Sequence, residues 1–580
     1  MLGITVITVA VFAAAAAPED EKLVSFFDRF LEAELTARPY DATRLGDHRF
    51  SNRLDDLSPP ALAANTERWK KTLAELPKEV EYGKLSRGAQ IDFEIFRDEL
   101  KRRLWIEENE KPYEVNPLLY NELISDSVYL LLTQSSLPMA TNVQNARQRM
   151  DYIPGVVDAA KKNLKNPPKI YVETAIKRNR GAIAFYSHDI FLLAKETPQT
   201  SALARAAAPV LASLKGYQEF LEKDLLPRAD GEWRIGTAKF AEKLEFELAA
   251  GIPAAELRKQ AEAEEVRVRG EMYVIARQLW SGLFPGKALP PDDAAGRRAA
   301  IDLVLAKLGK EHGKPSELAA DARKTVADVC KFIRERDLLR LPEPDRCQII
   351  EMPEFQRGFS VAYLNPAPAL DVKANSFYAV SPPPSDWSAE RANSLLEEYN
   401  RHMLQILTIH EAYPGHYVQL EYGNRHPSKI RRIFSSGVFA EGWAVYTEQT
   451  MLDEGYGAGD LALRLHQLKF YLRAVVNAIL DQRMHCDGID DREAQKMLVE
   501  RGFQSEGEAV GKVTRAKLSS GQLSTYFAGR MVFYKLRQEV QREQGAEFNL
   551  GRYHEAVLDH GTLPPKYLSE LVRERLKAPR

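Results

Sequence analysis

The chain has 580 residues, of which 44% are hydrophobic and 28% charged, with a formal net charge of −2 at pH 7. That near-neutral balance, without a basic block, argues against nucleic acid as a partner, and the length exceeds one ordinary core, so two or more subdomains are expected. Three cysteines, Cys330, Cys347 and Cys486, are too few for a disulfide framework and too scattered for a thiolate metal site, although Cys330 and Cys347 could pair.

Residues 1–17 form an apolar run ending in alanines before Pro18. They fit a signal peptide with an Ala-x-Ala cleavage site, although the run lacks a basic start, and they place the mature protein in the periplasm or outside the cell. The run is short for a membrane span, so no membrane partner is expected unless the segment stays uncleaved. Residues 18–345 read as a helical region. LVSFFDRFLEAEL, AQIDFEIFRDELKRRLWI and ELRKQAEAEEVRVRGEMYVIARQLW carry apolar residues at helical spacing. Proline-bearing joints at 57–60, 166–168 and 284–291 separate such segments. This half has no chemistry of its own and is expected to wall one side of a cleft.

The pattern changes over 346–387, the start of a second region that runs to 580. CQIIEM, GFSVAYL and NSFYAV are short β-prone runs. They predict a small β-element, either a structural hairpin or an edge that pairs with an extended peptide. In the second case Asn375, Phe377 and Tyr378 would lie near substrate. From Ser388, a plausible N-cap, Leu396, Tyr399, Met403, Ile406 and Leu407 recur at helical spacing, and His410 continues that inward stripe.

His410-Glu411-Ala-Tyr-Pro-Gly-His416 follows. Two imidazoles with a carboxylate directly after the first is what a hydrolytic zinc site needs, the carboxylate serving as base toward a water activated by the metal. The familiar spacing is four residues. Six residues correspond to a rotation of about 240° in an unbroken helix, which would turn the rings apart. Pro414-Gly415 in the gap predicts a break that turns His416 back toward His410. A helix over 438–454, ended by Gly455, carries Glu441 and Glu448 seven residues apart on one face, so Glu441 is the expected third ligand and Glu448 the group that orients a histidine. These metal helices span 388–454.

The C-terminal helices occupy 460–580. Asp481 and His485 share a face, and His485 is either an active-site group or an Asp-paired structural histidine. In the next helix, Tyr526 is a candidate donor to the oxyanion that forms during hydrolysis. Arg530 could hold a substrate carboxylate, or else form a surface salt bridge. Gly-x-Ser-x-Gly is absent, which leaves a serine-hydrolase reading without support.

HEAYPGH followed by AEGWAVYTE resembles the signature of the bacterial family called domain of unknown function 885. That family is similar to the gluzincin metallopeptidases. Looser similarity runs through RPYDATRLGDHRFSNRLDDLSP, RMDYIPGVVDAAKKNL, SGQLSTYFAGR and RYHEAVLDHGTLPPKYLSEL. The resemblance implies a mainly α, large multi-helix zincin-like fold with a small β-element beside a central cleft. It also implies His410, His416 and Glu441 on Zn²⁺ with Glu411 as base, but says little about substrate. The expected function is a zinc-dependent hydrolase of peptides, the alternatives being a zinc hydrolase of non-peptide amides or esters and a non-catalytic helical metal-binding protein. The chain departs from the family pattern at Asn477, where the family usually has Arg, and at Ser520, where it often has Pro.

Overall fold

In a computed structural model, the structure describes residues 18–195, 200–352 and 362–577. The expected signal segment 1–17 and residues 358–361 of the second β-prone run lie outside these. The amphipathic runs of the first half are helices. Pro18–Ala37 turns Leu23, Phe26, Phe27 and Phe30 inward, and the proline joints fall between helices. Asp293, after the joint at 284–291, caps Ala294–Gly309 by accepting from Gly296 N. Among the described residues, no helix is long and apolar enough to cross a membrane.

Three short strands follow: β1 (Cys347–Glu351), β2 (Ala362–Asn365) and β3 (Ser376–Val380). Their order is β1-β3-β2, with β1 parallel and β2 antiparallel to β3. The sheet is therefore not a simple hairpin. Tyr378 and its strand β3 lie in the middle, and among the described residues the edge nearest the later helices belongs to β2.

Five helices carry the rest of the argument: α1 (Arg401–Glu411), α2 (His416–Asn424), α3 (Gly437–Asp453), α4 (Leu461–Gln482) and α5 (Thr525–Gln544). The stripe that begins at Ser388 is interrupted. Ser388 caps a separate helix, Ala389–Glu398, and Asn400 starts α1 by accepting from the amides of His402 and Met403. An Asn side chain that caps competes with continuation of the helix, and this break sets the angle of α1.

Three hydrophobic cores result. One joins the N-terminal helices to the sheet and α1, through Phe27, Phe96, Tyr378, Ile406, Ile409 and Trp443. The first and second regions therefore share a core across residue 345. A second surrounds α4, whose side chains are buried on every face, as expected of a central helix. A third lies within 40–229 around Tyr120, Val157 and Leu214. Cys330, Cys347 and Cys486 are all free thiols, and burial pushes Cys330 and Cys347 up to about 12.

Candidate metal centre

The six-residue spacing is resolved by a chain break. Helix α1 ends at Glu411 and α2 begins at His416, with Gly415 N returning to Ile409 O at 3.0 Å. A Cβ on Gly415 would lie 1.9 Å from His410 O and 2.3 Å from Ile409 O, so only glycine permits this return. The break is held from both sides. Trp443, fully buried on α3, donates through Nε1 to Pro414 O at 2.8 Å. Tyr413 and Tyr417 donate to the Asp345 carboxylate at 2.7 and 2.9 Å.

The two imidazoles then meet, with ring centroids 4.8 Å apart and planes at 89°. Glu441 Oε2 lies 3.4 Å from His416 Nε2 and 3.8 Å from His410 Nε2. One ligand atom from each of the three residues falls within 4.8 Å of the others. Bonds of 2.0–2.1 Å in a tetrahedral arrangement imply ligand atoms about 3.4 Å apart, so the donor set and its spacing fit zinc. His410 Nδ1 is held by Glu448 Oε1 at 2.6 Å, which leaves Nε2 toward the cluster. Phe470 of α4 closes on the His410 ring edge-to-face at 5.5 Å. Glu411 Oε2 accepts from the Leu364 amide of β2 at 3.0 Å, so the strand edge and the carboxylate adjoin.

Burial dominates the protonation of these groups. It pulls His410 down to about 3, helped by His416, and keeps the imidazole neutral as a ligand must be. It pushes Glu411 up to about 7. Burial opposes charge on Glu441, yet the His416 contact and both imidazoles outweigh it and hold that carboxyl below its usual range. Burial, with Glu411 and Glu441 nearby, raises Glu448 well above the carboxylate range. Three acids around two imidazoles repel one another, and a bound dication would lower all three.

The other expected residues separate into two groups. Tyr526 is brought to the Glu441 side. Burial, then the Glu441 carboxylate, pushes its phenol up to about 12, so it remains a donor, and Arg515 donates to its Oη at 3.0 Å. His485 belongs elsewhere. It sits on a π-turn, Arg483–Asp487, with Nε2 2.9 and 2.8 Å from the Ala516 and Ser519 carbonyls and its ring against Trp233 and Phe240. Asp481 accepts from Gly521 N, Ser524 N and Ser524 Oγ, so this face supports the turn that leads into α5.

Tyr378 and Arg530, two of the residues expected near substrate, are buried. Tyr378 is fully buried, with its hydroxyl 3.0 Å from Thr408 Oγ1 inside the core. Asn375 is exposed just before β3, beyond the last residue pair of β2 and β3. Arg530 is not a surface group. It is buried between the rings of Tyr471 and Tyr534, 4.5 and 4.4 Å from their centroids, and donates to Gln449 Oε1. Sequence reasoning missed Trp443, which stands inside the EGW motif, and the Leu364 amide, which no side-chain pattern can reveal. It also missed Lys512 and Arg515, which lie on a helix of ordinary mixed charge.

A cavity of about 1870 Å³ lies between the two halves, lined by Glu34, Trp69 and Arg103 on one side and by Asn365, Leu420 and Gly437 on the other. The cluster residues are not in its wall. Leu420 and Gly437, which line it, stand four residues from His416 and Glu441 on the same helical faces. Fold and site together define a mainly helical protein built around a partly buried His–His–Glu cluster with an adjoining carboxylate.

The chain belongs to the family described as bacterial protein of unknown function, DUF885, whose model matches residues 39–572. It is similar to a "putative lipoprotein" of unknown function from Shewanella oneidensis, at 29% identity and TM-score 0.80 over 95% of this chain and 99% of that one. A second lipoprotein so described, from Colwellia psychrerythraea, shares the fold at 17% identity and TM-score 0.75, over 97% and 100% of the two chains. No curated protein matches the sequence.

Proposed function

We propose that this protein is an exported zinc-dependent peptidase. The observation that carries the reading is the convergence of His410 Nε2, His416 Nε2 and Glu441 Oε2 across a helix break, with Glu411 directly beside them. A neutral histidine pair with one carboxylate suits zinc, which would supply Lewis acidity and make a water nucleophilic near neutral pH. Glu411 takes the proton, oriented by the Leu364 amide on Oε2. Tyr526 donates toward the oxyanion. An extended peptide lies beside β2, with its body reaching the cavity beyond Asn365. The apolar residues 1–17 and the lipoprotein descriptions of both relatives support action outside the cytoplasm.

Metal content and peptide cleavage, measured together, test this. Wild type and Glu411→Gln are expected to hold one zinc per chain, and His416→Ala to lose it. Cleavage is expected to fall by a factor of about 10²–10⁴ in Glu411→Gln. A wild type that takes up no zinc on reconstitution refutes the metal centre. Zinc with cleavage of esters or other amides but of no peptide refutes the substrate class.

A further inference from the structure

The helix Glu506–Leu518, whose Arg515 bonds the Tyr526 hydroxyl, carries two cations without a carboxylate. Lys512 and Arg515 are three residues apart, hence on one face. The acids nearby are already engaged. Glu508, one turn before Lys512, is bound by Arg473 and accepts from the Tyr399 hydroxyl at 2.8 Å. Glu398 is shared by Lys469 and Arg473, each at 2.7 Å. Glu441 faces the two histidines. Among the described residues, Lys512 has no hydrogen bond or ion pair. Arg515 uses Nη2 on two neutral groups, Gln522 Oε1 at 2.9 Å and Tyr526 Oη at 3.0 Å.

A half-buried cation such as Lys512 is normally paired, because desolvation without a partner is costly. Arg515 is exposed and bonds the Tyr526 phenol of the candidate centre. The geometry points to an anion subsite: Lys512 and Arg515 hold a carboxylate of the substrate next to the scissile bond, which makes the enzyme a carboxypeptidase-type exopeptidase acting on peptide C-termini. Burial, then Arg515 and Arg473, pulls the Lys512 ammonium down to about 7, and a substrate carboxylate would restore its charge. Neither cation lines the cavity, so in this assignment that space takes the body of the peptide and not its terminus. This inference rests on the peptidase reading for its chemistry, but the subsite can be tested without turnover.

The test uses calorimetry on the zinc-loaded full chain carrying Glu411→Gln, so that no peptide is consumed. Matched N-acetylated tetrapeptides ending in a carboxylate or a carboxamide are compared, with a third that has a carboxamide end and an aspartate in the last position. The free acid is expected to bind at least about tenfold tighter than the amide, about 1.4 kcal/mol, and the ratio is expected to fall to about one when Lys512→Gln and Arg515→Gln are added. Arg515→Gln alone, at an exposed position, is expected to reduce the ratio and serves if the double change impairs folding. No preference in the parent, or the same preference in the variants, overturns the subsite. Preference for the internal aspartate over the free terminus overturns the C-terminal assignment. If wild type cleaves no peptide while the carboxylate preference and its loss on substitution hold, the subsite stands and the peptidase reading fails.

Discussion

Glu448 Oε1 lies 2.6 Å from His410 Nδ1, joining side chains 38 residues apart on two helices. Glu448 is fully buried, and among the described residues its other oxygen, Oε2, has no partner. The contact fixes the rotation of the His410 ring and reserves Nε2 for the cluster. With a cation on the Nε2 side, the shared proton belongs on Nδ1, and the carboxylate strengthens the imidazole as a donor. Glu448→Ala is therefore expected to weaken zinc binding about 10–100-fold. Glu448→Gln, which can still accept through its amide oxygen, is expected to lose less. Titration against a chelator of known affinity measures both, and equal affinity in all three proteins would refute the orienting role.

Helices α3 and α5 touch at Gly442 and Gly529. A Cβ on Gly442 would lie 2.4 Å from Gly529 Cα, and one on Gly529 would lie 2.1 Å from Val438 O. The obstacles are backbone atoms, which cannot rotate away as a side-chain end can. Gly442→Ala and Gly529→Ala are each expected to cost about 1–3 kcal/mol or more through overpacking. Because Gly442 follows Glu441, the zinc affinity of Gly442→Ala is expected to fall as well. Urea unfolding of the metal-free protein isolates the packing effect, and unchanged midpoints would show that the helices separate without cost.

Much of this site was legible before the structure. The Pro-Gly break, the inward His410 and the acids on 438–454 follow from periodicity and backbone chemistry, and each falls where those rules put it. The substrate wall was not legible, for physical reasons. Which strand forms an edge depends on sheet order, and three short runs do not encode an order in which the last lies in the middle. Arg530 looked exposed because arginines usually are, yet Tyr471 and Tyr534 come from other parts of the chain to enclose it. Lys512 stands out only through partners it lacks, and that becomes visible only after folding. Asn400 could have been recognised as a cap; the apolar stripe on both sides of it concealed the break.

Gly415 offers a local test of the helix break. The Cβ of Gly415→Ala would meet two carbonyl oxygens inside 2.5 Å, so the turn between α1 and α2 must open. His416 leaves the cluster if it does. Loss of stoichiometric zinc, with helical content by circular dichroism close to wild type, is the expected result. Full zinc occupancy in Gly415→Ala would mean that the six-residue spacing can be closed another way.

His554 links the fold to pH. Its Nδ1 donates to Leu338 O at 2.8 Å, so Nε2 accepts from the Tyr446 hydroxyl at 2.9 Å, and the ring is neutral. Burial, opposed by the Leu338 carbonyl and reinforced by Arg537, pulls it down to about 3 from an ordinary value of 6.5. Below pH 6.5 the unfolded chain takes up a proton that the folded chain refuses until about pH 3. The stabilisation is therefore complete above pH 6.5 and lost as pH falls through that window, at up to about 1.4 kcal/mol per pH unit. His554→Gln is expected to be less stable than wild type at pH 7, through its lost hydrogen bonds. Between pH 7 and pH 5 it is expected to lose about 2 kcal/mol less than wild type does. Urea unfolding of both proteins at the two pH values gives the difference, and parallel losses would show that His554 titrates alike in the folded and unfolded chains.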